Sequence, residues 1–259
     1  MFLLIFEGIL IGILLGLTGA GGGILAIPAL MYSQNWTIAE AAPVGLLAIT
    51  LSSGIGAFDG LYRGVVRYKA AIWIALFSIP TVYTGIYLRH MLPVNLLTFI
   101  FCFIMASAAL RSLFTHTSNQ TSNLCPLDPE TGRFSWTIQT QVYLGGIGLC
   151  SGLMTGVLGV GGGFLIIPAL KKVSKLSFES ISSTSLMIIF LIGLITCLTQ
   201  LSSGYHYPKE VTSTFIISCV LGLFIGKYIQ RYISELLVKR FFSVMLIIIS
   251  LSMALRTLS

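Results

Sequence analysis

Two glycine-rich segments carry the residue types best suited to hold a ligand. Residues 8–30 read GILIGILLGLTGAGGGILAIPAL, and residues 148–170 read GLCSGLMTGVLGVGGGFLIIPAL. Set 140 residues apart, they agree at 12 of 23 positions. Gly19, Gly21, Gly22 and Gly23, with Gly159, Gly161, Gly162 and Gly163, are too many for a continuous helix, because each glycine costs ~1 kcal/mol relative to alanine in a helix interior. The clusters predict a break whose backbone is free to take positive φ. A fresh apolar run follows each one, ILAIPAL and FLIIPAL. If that run is helical, its first N–H groups are unpaired and point back into the turn. With the helix dipole they make an anion site that needs no charged side chain. Pro28 and Pro168, five residues after Gly23 and Gly163, would kink or shorten the second half-helix. A glycine-packed kink without a ligand would use the same residues.

A second candidate is the hydroxyl run Ser182, Ser183, Thr184 and Ser185. Hydroxyls donate hydrogen bonds to an oxyanion without requiring a buried charge. The same run would also serve to cap a helix or to bond neighbouring helices. Thr50, Ser52, Ser53, Thr199 and Gln200 read more simply as helix-interface residues. Glu7 lies near the chain start, and Asp59 reads as half of a loop ion pair with Arg63. His90, His116 and His206 fall near the ends of apolar runs or in loops. No acid or histidine falls at mid-membrane to serve as a proton relay.

These residues sit on long apolar elements. The chain has 259 residues, of which 56% are hydrophobic and 9% charged, against ~25% charged in a typical soluble domain. Mean hydropathy is +0.95. Those values exclude an ordinary soluble protein and a disordered one. Apolar runs fall at 2–34, 38–58, 70–89, 94–114, 138–173, 180–201, 211–230 and 236–257, each near or above the ~20 residues that cross a bilayer. The first and fifth contain the glycine clusters. The expectation is an all-α polytopic membrane protein: a first membrane repeat over 1–114, a central polar loop over 115–137, and a second repeat over 138–259. Each repeat has four elements, the first broken by glycine. Gly8, Gly12 and Gly16, like Gly148, Gly152 and Gly156, recur every four residues and make side-chain-free stripes for close helix packing. The five cysteines read as small core residues.

The net charge of +7 belongs to the connections, where the positive-inside rule expects it, and no run of basic residues points to nucleic acid. If all eight elements crossed, the Lys and Arg residues would divide eight against seven. If the first and fifth elements are re-entrant, one side collects Arg63, Arg67, Lys69, Arg111, Arg133, Lys171, Lys172, Lys175, Lys227, Arg231, Lys239 and Arg240. The other keeps Arg89, Lys209 and Arg256. Twelve against three is the asymmetry the rule expects. The halves would then be inverted repeats with both termini outside the cytoplasm, and the two positive half-helix ends would lie near the bilayer midplane.

The duplicated G-x-x-G-x-G-G-G-x-x-x-x-P-x-L, from Gly16 to Leu30 and from Gly156 to Leu170, resembles the TauE/SafE family, the sulfite exporter or 4-toluene sulfonate uptake permease-like proteins. The resemblance covers nearly the whole chain, including DPETGRFSW in the central loop and ISSTSL in the second half. It implies an inner-membrane transporter of sulfur oxyanions or related organic anions. The chain departs from internal symmetry at one place. Ser182, Ser183, Thr184, Ser185 and Leu186 stand 140 residues after Ala42, Pro43, Val44, Gly45 and Leu46, so substrate contacts should be lopsided.

The expected function is secondary transport of a small anion by alternating access, with the lipid bilayer and a coupling proton or ion as the other partners, no cofactor, and an oligomeric state the sequence does not set. An intramembrane enzyme would need a nucleophile–base pair or metal cluster, and neither H-E-x-x-H nor G-x-S-x-G occurs. A non-transporting assembly subunit would use the glycine stripes equally well.

Overall fold

The computed structural model describes residues 1–19, 22–114, 134–174, 176–230, 232–233 and 235–258. Gly21 and most of the expected central loop, 115–133, lie outside the described residues. Among those described there are ten helices: α1 (Phe2–Thr18), α2 (Gly22–Gln34), α3 (Ile38–Tyr62), α4 (Tyr68–Met91), α5 (Val94–Phe114), α6 (Ile138–Leu158), α7 (Gly163–Val173), α8 (Phe178–Ser202), α9 (Lys209–Gln230) and α10 (Glu235–Leu258). The first and fifth apolar runs each give two helices, and every other run gives one.

Five helices, α3, α4, α6, α8 and α9, are long and apolar enough to cross a membrane. Their outward side chains include Phe58, Leu198, Ile217 and Leu221, all exposed and suited to hydrocarbon rather than water. The chain is a multi-pass membrane protein. By length α6 qualifies as a span although the sequence reading gave its run a re-entrant path. The described apolar parts of α5 and α10, Val94–Leu110 and Arg240–Met253, are shorter.

Local sequence explains the helix starts. Thr37 and Glu40 form a capping box at α3, with Thr37 N–H donating to Glu40 Oε2 at 2.8 Å. Thr137 caps α6 and Ser177 caps α8, each accepting from the backbone N–H three residues on. Capping of α8 therefore falls to Ser177 and leaves Ser182 to Ser185 for other work.

The glycine stripes bring helices of opposite halves into backbone contact. On α1, Gly8 faces Phe215 and Ser218, Gly12 faces Cys219 and Gly222, and Gly16 faces Leu223 and Gly226, all on α9. On α6, Gly148 faces Ile74, Gly152 faces Ser78, and Gly156 faces Val82 and Gly85, all on α4. In each pair the residue numbers rise together, so the helices run parallel. Between these pairs α3 packs on α8, and α5 packs on α10. The turns after α3 and α8 repeat bond for bond. Gly64 N–H donates to Leu61 O and Val65 N–H to Gly60 O; Gly204 N–H donates to Leu201 O and Tyr205 N–H to Gln200 O. Both glycines have positive φ, 71° and 80°.

Three other contacts fix the two ends of the bundle. Ser180 Oγ donates to Val65 O at 2.7 Å, and Arg67 N–H donates to Thr184 Oγ1 at 3.0 Å, so the α3–α4 turn lies over the start of α8. At the opposite end Arg89 Nη2 donates to Ala39 O at 2.7 Å, tying the end of α4 to the start of α3.

Close packing at the stripes predicts a sharp contrast among glycines. A Cβ at Gly12 or Gly152 meets backbone of the facing helix, whereas one at Gly146 meets nothing. Gly12→Ala and Gly152→Ala should each lower the melting temperature of the purified protein, since overpacking costs ~1–3 kcal/mol. Gly146→Ala should hold it or raise it slightly, by the ~1 kcal/mol advantage of alanine in a helix.

Candidate functional site

Both broken helices end in the same way. The last turn of α1 closes on Gly19 with φ 77°, whose N–H donates to Leu15 O at 2.8 Å. The last turn of α6 closes on Gly159 with φ 72°, whose N–H donates to Thr155 O at 2.8 Å. Gly161 and Gly162 also take positive φ, 76° and 63°, a conformation that costs an L residue ~1–2 kcal/mol. The chain then folds back. Gly22 lies against Ile11 and Leu15 of α1, and Gly162 lies against Ser151 and Thr155 of α6.

The two turns reach across the molecule to equivalent places. Gly19 packs on Ser182 of α8, where a Cβ would stand 2.6 Å from the serine Cβ. Gly159 packs on Ala42 of α3, where a Cβ would stand 2.8 Å from the alanine Cβ. The turns also meet each other. A Cβ on Gly23 would lie 3.0 Å from Val160 O and close to Ile49, while Gly161 faces Ile189 and Leu46. Gly22, Gly23 and Gly163 begin α2 and α7 and are all buried, so both short helices start inside the protein. Pro28 and Pro168 lie inside α2 and α7; both helices continue past them for several residues, so neither proline ends its helix.

The hydroxyl run divides by role. Ser182 touches Gly19, and Ser183 touches Gly60. Thr184 holds the backbone of Arg67. Ser185 is fully buried and its hydroxyl has no partner among the described residues. Along α8, Ser182, Ser185 and Ile189 follow at helical spacing, and the outer two touch Gly19 and Gly161. Ser185 thus lies between the two turns. On α3, Ser52 and Ser53 are also fully buried and unpartnered. They stand between Ile49, which faces Gly23, and Gly56, whose carbonyl accepts from Lys227 Nζ at 2.7 Å. Leaving a hydroxyl buried without a partner costs ~1–3 kcal/mol, and buried polar groups are nearly always bonded. Ser52, Ser53 and Ser185 are three buried hydroxyls beside the turns with no hydrogen-bond partner among the described residues. From sequence Ser52 and Ser53 read as interface residues, because small polar residues are common where membrane helices meet.

A cavity of about 360 Å³ opens beside this region, lined among others by Asp59, Arg63, Glu179, Ser182, Ser183 and Lys227. Ser182 belongs both to the cavity wall and to the Gly19 contact. Asp59 forms the expected pair with Arg63, Oδ1 to Nε at 3.1 Å, but it also accepts from Lys227 Nζ at 2.9 Å through Oδ2. The sequence reading put Asp59 in a loop and Lys227 in a connection. Both are in fact in the last turns of helices, because α3 extends to Tyr62 and α9 to Gln230. A lysine following an apolar run that ends IGK was the signal available for this site.

The opposite end of the bundle is tied by polar bonds. Tyr205 Oη donates to Glu40 O at 3.3 Å, and Tyr207 Oη donates to Gln200 Oε1 at 3.1 Å. Burial pushes the Tyr207 phenol well above its ordinary pKa.

Residues 4–253 match the sulfite exporter TauE/SafE family, and the chain belongs to that family. It is similar to a "Probable membrane transporter protein" of Xylella fastidiosa strain Temecula1, with 25% identity over 95% of this chain and 91% of the relative. A "Probable membrane transporter protein" of Methanocaldococcus jannaschii is 27% identical over 79% of this chain and 75% of the relative. For YunE of Bacillus subtilis, with the same description, the values are 23%, 86% and 85%. No solved structure matches the chain.

Unpartnered hydroxyls make a prediction opposite to that for ordinary core residues. Ser53→Ala and Ser185→Ala should leave the melting temperature unchanged or raise it, since each removes a buried hydroxyl whose unmet hydrogen bond costs ~1–3 kcal/mol. A clear fall in either variant would show that the hydroxyl is bonded in the folded protein.

Proposed function

We propose that this TauE/SafE protein is a secondary transporter of a small anion, a sulfur oxyanion or organosulfonate, in the cell membrane. The single observation that carries the reading is the meeting of the two glycine turns at Gly23 and Val160. There the open N-terminal turns of α2 and α7 supply backbone donors and positive dipole ends, and the hydroxyls of Ser52, Ser53 and Ser185 lie alongside. The binding residues are Gly19, Gly21, Gly22, Gly23, Gly159, Gly161, Gly162, Gly163 and the serines Ser182, Ser183 and Ser185. Pro28 and Pro168 shape α2 and α7. Thr184 acts through the α3–α4 turn.

The same reading makes the halves inverted repeats with re-entrant broken helices. It is supported by the paths of the hairpins. α1 begins beside the start of α9, and α2 hands over to the start of α3, near Arg89. α6 begins beside the start of α4, and α7 hands over to the start of α8, near Arg67. With that arrangement the basic residues gather twelve against three, and the positive-inside rule turns the Arg67 end to the cytoplasm. The cavity at that end would be the cytoplasmic entrance. Rocking of the paired units about the turns would open the other side, as in transporters built from inverted repeats, driven by a proton or ion gradient.

Flux into proteoliposomes tests the reading. Sulfite, sulfate, thiosulfate and methanesulfonate are offered as labelled substrates with and without a proton gradient. Saturable uptake of one of them should be seen, and Gly162→Ala should reduce it about tenfold or more, because the alanine would be strained at positive φ and crowd Ser151. Absence of flux for all four anions with a folded protein would favour a non-transporting assembly subunit.

A further inference from the structure

We infer that Lys227 and Arg63 form the cationic subsite that first receives the transported anion, and that Asp59 is a built-in competitor holding that subsite until the anion arrives. This inference rests on the anion-transport reading. Lys227 lies in the last turn of α9 with its side chain only 18% exposed. Burying an ammonium at a membrane helix end is costly unless it is paired. Its bonds go to Gly56 O and Asp59 Oδ2, which use two of the three donors of an ammonium.

Asp59 is placed as an oxyanion would be. One oxygen meets Arg63 Nε at 3.1 Å and the other meets Lys227 Nζ at 2.9 Å, so a single carboxylate bridges two cations across the cavity wall. Sulfur oxyanions carry the same feature, two or more oxygens on one centre able to accept from separate donors. Arg63 uses one of its five N–H donors on Asp59, and its Nη1 lies 4.0 Å from Glu179, beyond hydrogen-bond range. Donors thus remain around the cavity for a second set of oxygens.

The position also suits a first stop. Ser182 and Ser183 line the cavity with Lys227, and Ser182 touches Gly19. An anion seated between Lys227 and Arg63 would lie one side chain from the first glycine turn. Asp59 must let go for this to happen, so its charge lowers the affinity of the resting site and keeps the two cations from standing unpaired when no anion is bound. A salt bridge that only braces α3 against α9 would behave differently, since each half would then matter equally.

Equilibrium binding of labelled sulfite, sulfate and thiosulfate to the purified full chain separates these cases, with the melting temperature of each variant recorded. Asp59→Asn should bind the preferred anion about tenfold more tightly than the unmodified protein, because the competing charge is gone while both cations remain. Lys227→Met should lose binding by about tenfold or more, and Lys227→Gln, which keeps a hydrogen-bonding head, should lose it to a similar extent. The double variant Asp59→Asn/Lys227→Met should stay weak even though its charges are balanced. Weakened binding in Asp59→Asn, or restored binding in the double variant, would overturn the inference and assign the pair a bracing role. If the unmodified protein shows saturable flux and Lys227→Met and Lys227→Gln bind as tightly as it does, the subsite falls while the transport reading stands. If neither the unmodified protein nor Asp59→Asn binds or transports any of the three anions, both fall together.

Discussion

A helix that stops inside a membrane leaves backbone donors and acceptors that hydrocarbon cannot satisfy, and on the proposed re-entrant path this fold has two such interruptions to cover. Non-helical backbone at membrane depth survives only where it is buried in protein or lines a wet cavity. The chain meets that demand by setting each break against the opposite half, Gly19 on Ser182 of α8 and Gly159 on Ala42 of α3. The long helices α3 and α8 pack together between the breaks and cover both. Approach at these distances needs backbone rather than side chains on one partner, which is why the helices leading to the breaks carry glycine at every fourth position. Gly12 against Cys219 and Gly152 against Ser78 position the breaks as directly as the glycines in the turns themselves.

The two halves share a backbone plan but not a chemistry. At the Arg67 end, the first break meets Ser182 beside a cavity that holds Lys227, Asp59 and Arg63. At the Arg89 end, the second break meets Ala42, and the nearby polar groups tie the start of α3 to the end of α4 and to the α8–α9 connection, as with Arg89 on Ala39 O and Tyr205 on Glu40 O. The Arg67 end therefore carries a charged cavity, and the Arg89 end carries hydrogen bonds between elements. On the proposed anion-transport reading, this lopsidedness would give the anion cations on one side and neutral donors between the turns.

Much of the fold was legible in the sequence because its signals are local. Apolar runs marked the helices to within a few residues, since length and hydropathy dominate helix formation in a membrane. The glycine clusters marked both breaks, because positive φ at Gly19 and Gly159 excludes most other residues. The site was legible only in part. Asp59 and Lys227 are 168 residues apart, and nothing local to either announces the other. Asp59 looked like a loop residue because α3 outlasts its apolar run by four residues, carrying the charge into a helical turn. Ser52 and Ser53 looked like interface residues because the absence of a partner is a property of the packed molecule. The hydroxyl run is legible as a group, yet only the fold separates Thr184, which holds Arg67, from Ser185, which has no partner among the described residues.

The central claim is that the two broken helix pairs enter from opposite faces of the membrane and meet inside it. Single cysteines placed in a cysteine-free background at Gln34, Tyr62 and Lys172, and labelled with a membrane-impermeant thiol reagent from each side in turn, test it most directly. Gln34 ends α2, Tyr62 ends α3, and Lys172 lies in the last turn of α7. The account predicts that Tyr62→Cys and Lys172→Cys label from the same face, and Gln34→Cys from the other. Labelling of Gln34→Cys and Lys172→Cys from one common face would contradict it.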